Sequence, residues 1–89
     1  MKLKIRITNP RDYSGWESGA IGKYNFEAKV YDEPSIFGIN DGRVSKLHVY
    51  SIIGGESVSI IEYDRGWGLQ PKTDEGKEIL KVILDRYPV

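Results

Sequence analysis

The chain predicts an α+β domain in which a four-stranded antiparallel sheet carries one carboxy-terminal helix on one face, in the order β-β-β-β-α. Three observations predict it: apolar residues alternate with polar ones in two runs, a glycine pair joins two further β-branched runs, and the only helical spacing comes last.

Leu3, Ile5 and Ile7 alternate with Lys4, Arg6 and Thr8, the period of a half-buried strand, and Pro10 ends it. Residues Asn9 to Gly19 gather Pro10, Asp12, Ser14, Gly15 and Gly19 around Tyr13 and Trp16, a composition that reads as a surface loop with aromatic anchors. In the second strand Tyr24, Phe26, Ala28 and Val30 share one face, and Asn25, Glu27, Lys29 and Tyr31 the other. The third strand runs from about Val44 to Ile53 and the fourth from about Val58 to Asp64, with Gly54 and Gly55 supplying the positive φ that a tight hairpin turn needs. Thr73 caps the helix, Asp74 and Glu75 suit the positive end of its dipole, and Gly76, Leu80, Ile83, Leu84 and Tyr87 recur at helical spacing before Pro88 stops it.

At 89 residues this is one domain, 1–89, with a thin core. The absence of cysteine rules out disulfides and thiolate metal sites and points to a reducing, cytoplasmic setting. The amino terminus alternates charged and apolar residues, so neither a signal peptide nor a membrane span is expected there. Thirteen basic residues balance thirteen acidic ones, which removes any bulk electrostatic drive toward nucleic acid or an anionic membrane.

One helix covers only one face of such a sheet. Ile52 and Ile53 are adjacent, as are Ile60 and Ile61, so the hairpin is apolar on both faces; Tyr31, Tyr50 and Tyr63 add to the uncovered surface. At ~25 cal/mol per Å² of apolar area, leaving these in water forgoes several kcal/mol, and a homo-oligomer is the expected remedy.

No catalytic set is legible, and no cofactor or metal ion is expected. His48, the single histidine, lies in a strand without a serine or acid at a familiar spacing and reads as a solvated or hydrogen-bonded strand residue. Phosphate loops, nucleophile elbows and zinc-type helices are missing from the sequence. Glu27-x-Lys29 with Asp12 upstream is similar to the acid set of metal-dependent nucleases, though a Glu-x-Lys pair on a solvated strand face arises often by chance. Asp32, Glu33, Asp41 and Asp64 lack the spacing of a calcium loop.

Binding is the better expectation. Arg43, Lys46 and Arg65 beside Tyr63, Trp16 and Trp67 form the candidate ligand site, because a guanidinium suits phosphate or carboxylate and an indole face suits a base. Against this, the arginines can pair with Asp41 and Asp64 and Trp67 can be core. Ile36, Phe37 and Ile39, within a turn marked by Pro34 and Asp41-Gly42, are either a core plug or a partner-facing patch; with Ile52 and Ile60 they form the candidate protein interface.

Three segments carry a resemblance: Phe26 to Ser35 (Phe-Glu-Ala-Lys-Val-Tyr-Asp-Glu-Pro-Ser), Gly38 to Leu47 (Gly-Ile-Asn-Asp-Gly-Arg-Val-Ser-Lys-Leu) and Tyr63 to Trp67 (Tyr-Asp-Arg-Gly-Trp). Through them the chain, over about residues 20 to 87, resembles an uncharacterised family of small domains of Gram-positive bacteria and their phages. The resemblance implies a mobile-element context, in which proteins of this size often counter host defence. Two roles follow as expectations: sequestering a small anionic, nucleotide-derived signal, or capping a host defence protein.

Overall fold

The computed structural model describes residues 3–88; Met1 and Lys2, the first residues of the alternating amino terminus, and Val89 lie outside the described residues. The strands are β1 (Ile5–Asn9), β2 (Trp16–Ile21), β3 (Tyr24–Val30), β4 (Val44–Ile53), β5 (Glu56–Asp64) and β6 (Trp67–Leu69), followed by helix α1 (Asp74–Arg86). All pairings are antiparallel and follow chain order, β1-β2-β3-β4-β5-β6.

The class is α+β as expected, but the sheet has six strands rather than four. β2 begins inside the segment expected to be a loop, Trp16 to Gly19 of it lying there. Its sequence, Trp-Glu-Ser-Gly-Ala-Ile, is poor in β-branched residues, and pairing on both edges overrides that weak local preference. Gly19 is required there, since a Cβ would run into the Arg6 carbonyl oxygen of β1 and press on the Phe26 ring. β6 is three residues long and follows a turn in which Arg65 takes a positive φ of 55°, too little pattern for a periodicity argument.

The glycine-pair hairpin is as expected: Ile53 pairs Glu56, leaving Gly54 and Gly55 as a two-residue loop with φ of 59° and 83°. Thr73 Oγ1 accepts the Gly76 backbone N–H at 2.9 Å, the expected cap. The fully buried helix positions are Gly76, Ile79 and Ile83, with Leu80 and Leu84 only half-buried.

The core fills one face. Ile21, Phe26, Ala28, Leu47, Val49 and Ile61 point from the sheet to Ile79, Ile83 and Tyr87 of the helix. Ile39, in a short 3-10 turn before β4, plugs the same core at 2% exposure. Among the described residues no element covers the opposite face. Register shifts at Lys29/Val30, Val49/Tyr50 and Glu62/Tyr63 add twist around β4 and β5, which helps to hollow that face.

Candidate functional site

Strand register sets the open face in rows. Trp16 pairs Lys29, Lys29 pairs Lys46, and Lys46 pairs Asp64; in the next row Ser18 pairs Glu27, Glu27 pairs His48, and His48 pairs Glu62. Over these rows lies a trough of about 680 Å³. Trp16 from β2 and Trp67 from β6 wall it, 40% and 39% exposed, and Glu27, Lys46, His48 and Glu62 supply its floor. Their strands are four spacings apart, ~19 Å at 4.8 Å each, so the indoles stand at opposite ends.

The floor is charged and loosely paired. Lys46 Nζ is 3.7 Å from Asp64 Oδ1. His48 Nε2 shares a hydrogen bond with Ser59 Oγ at 2.7 Å, and its Nδ1 lies 3.9 Å from Glu27 Oε1, beyond hydrogen-bond reach. The imidazole stacks on Tyr50, ring centroids 4.7 Å apart. The Glu62 side chain has no hydrogen bond or ion pair to another described residue. Lys29 and Lys46, directly opposite, are an unfavourable like-charged pair that Asp64 relieves on one side only.

Of the six residues expected at a ligand site, Trp16, Lys46, Tyr63 and Trp67 meet at the trough, where Tyr63 and Trp67 pack edge to face at 5.0 Å. Tyr63 also donates its hydroxyl to the Phe37 carbonyl at 2.9 Å. Arg43 sits elsewhere: its Nε donates to the Tyr31 carbonyl at 2.9 Å and Nη1 to the Pro88 carbonyl at 3.2 Å, tying the start of β4 to the chain after the helix. Arg65 stands beside the trough without lining it, its Nε 3.7 Å from Asp64 Oδ1 and its backbone N–H donating to the Ser45 carbonyl at 2.8 Å.

The expected interface residues separate. Ile36 and Phe37 are 80% and 49% exposed, whereas Ile39 is core. Ile52, Ile53 and Val58 are exposed near the hairpin tip, while Ile60 packs against the core. Glu62 and Ser59 went unread in the sequence, and Glu27 and His48 were not joined, because only the register brings them together.

Trp16 is fixed by its neighbour. Glu17 points to the helix side, 4% exposed, and its carboxylate accepts from Arg86 Nε at 2.6 Å, from the Tyr87 hydroxyl and from the Arg11 backbone N–H at 2.8 Å. Burial works to raise its pKa, but these three donors and the Arg86 charge outweigh it and hold the carboxyl down at about 2. Asp12, a candidate nuclease acid, accepts from the Ser14 backbone N–H at 2.8 Å and from its hydroxyl. Among the described residues no three His, Asp or Glu side chains are grouped to hold a metal ion, and no helix is long and apolar enough to cross a membrane.

No curated protein and no solved structure matches the chain. A family model does match, over residues 15–88, a span that takes in β2 through α1 and every residue of the trough. The chain therefore belongs to the family described as a domain of unknown function, DUF7678.

Proposed function

We propose that this protein is a binding module that sequesters a small nucleotide-type ligand on the open face of its sheet, without turning it over. One observation carries the reading: two half-exposed tryptophans end a charged trough on a face that none of the described elements covers. An indole face stacks any base, Lys46 offers a cation to a phosphate, and the carboxylates accept base N–H groups. The counter-defence setting rests on the resemblance of the three sequence segments alone.

Titrating tryptophan fluorescence with guanosine and adenosine monophosphates tests the reading. Quenching should saturate, and Trp67→Ala should weaken it by ~1–3 kcal/mol, roughly five- to a hundredfold. Arg43→Ala should instead leave affinity intact and cost ~1–2 kcal/mol of stability, since it removes two hydrogen bonds from a charged donor. Affinity lost in Arg43→Ala but kept in Trp67→Ala would move the site away from the trough.

A second reading, capping of a host protein or self-association, is favoured by the exposed Ile36 and Phe37 and by Ile52, Ile53 and Val58. Sedimentation at micromolar concentration should show a homo-oligomer that Ile52→Lys/Ile53→Lys dissociates. A monomer in the wild type would leave the apolar tip for a foreign partner.

A further inference from the structure

An indole and a carboxylate flank β4 on either side of the trough. Trp16 on β2 and Glu27 on β3 lie to one side, Glu62 on β5 and Trp67 on β6 to the other, and Lys46 and His48 stand between them on β4. Each half offers an indole and a carboxylate, the β5–β6 half adding Tyr63 against Trp67 and Asp64 beside Lys46, and the centre holds the trough's lysine. We infer that the trough takes a two-headed ligand, a dinucleotide with a donor-bearing base at each end and its phosphate linkage over Lys46; this rests on the nucleotide reading above.

Size argues for two heads. The carboxylates sit on strands two spacings apart, ~10 Å, and the indoles on strands ~19 Å apart, so a single base engages one indole and one carboxylate and leaves the other half empty. Charge argues for the identity of the bases. A carboxylate only accepts, so it favours a base edge that presents adjacent N–H groups. Guanine does so with N1–H and N2–H2, which can meet both oxygens of one carboxylate, whereas uracil flanks its single N–H with two carbonyl oxygens that the carboxylate repels. Glu62 is available for this, because its side chain has no hydrogen-bond or ion-pair partner among the described residues, and Glu27 holds only the long contact to His48. The linkage belongs at the centre, over Lys46 and away from Glu27 and Glu62; Asp64 stands beside it there, its contact to Lys46 a loose 3.7 Å.

Calorimetry on the full chain with guanosine monophosphate, a 3′,5′-linked guanine dinucleotide and its uracil counterpart tests this. The guanine dinucleotide should bind one per chain and about a hundredfold tighter than the mononucleotide, as expected when a linker makes the second contact intramolecular. The mononucleotide should bind two per chain, falling to one in Glu62→Gln or Glu27→Gln, and either change should weaken the dinucleotide about tenfold with the melting temperature unchanged. Both carboxylates are solvent-exposed, so these variants should fold. If the mononucleotide binds and the dinucleotide is no tighter, the site is single-headed: the inference fails and the nucleotide reading stands. Equal affinity for the uracil dinucleotide removes the edge selection. If none of the three binds, both fall.

Discussion

Replacing Glu17 by alanine is expected to cost about 3–5 kcal/mol, the range for breaking a buried, hydrogen-bonded ion pair. The carboxylate joins three parts of the chain, the backbone at Arg11, β2 itself and the end of the helix through Arg86 and Tyr87. Without it the Tyr87 hydroxyl, in a side chain 8% exposed, loses its acceptor, while Arg86 at 37% can turn to water; the lower part of the range is therefore expected. The same group sets an acid limit. Its folded pKa is depressed from 4.5 to about 2, so its contribution is fully present above pH 4.5 and is lost as the pH falls toward 2. At about 1.4 kcal/mol per pH unit this is about 3 kcal/mol. Urea unfolding at pH 7, 4.5 and 3 should show about 2 kcal/mol of that loss by pH 3 in the wild type and a flatter profile in Glu17→Gln. Superimposable profiles would show that the cluster contributes no linkage.

Phe26→Ala is the second large effect, about 3–5 kcal/mol. The ring is 1% exposed, pairs across to Val49 and packs against Gly19, so its removal opens a cavity between sheet and helix. Net stability for 89 residues is of order 4–13 kcal/mol, which makes this change a large part of the whole. Phe37→Ala, at 49% exposure, should cost under ~0.5 kcal/mol of stability and serves as the contrast. Denaturant midpoints measure both. A cost below ~1 kcal/mol for Phe26→Ala would mean that the core face has been assigned wrongly.

The long alternating strands, the glycine-pair hairpin and the capped helix were legible because each is written in local pattern and turn chemistry. β2 was not, because its Gly19 answers to the Arg6 carbonyl of another strand and its Glu17 to a helix end 70 positions on. The trough was half legible. Counting back from the pairing of Ile53 with Glu56 in an unbroken hairpin places Ile61 opposite His48, and an apolar partner gives no hint of a polar floor. The extra residue at Ile60 moves the register by one and brings Glu62 there instead. Bulges of this kind leave no signature in composition. Arg43 shows the converse: its charge and its glycine neighbour suit a ligand site, and only the positions of the Tyr31 and Pro88 carbonyls reveal what it holds.

Because the strands pair strictly in chain order, the sheet ends in β1 and β6, each with one unpaired edge. β6 spans three residues, with Pro71 soon after it; β1 spans five, carries the exposed Arg6 and is followed by Pro10. Short edges marked by charge and proline are poor templates for a further strand, and they guard against open-ended growth into fibres. Recruitment of a partner by sheet extension is thereby discouraged, which leaves side chains, on the open face, at the hairpin tip or on the Ile36–Phe37 turn, as the surfaces for contact.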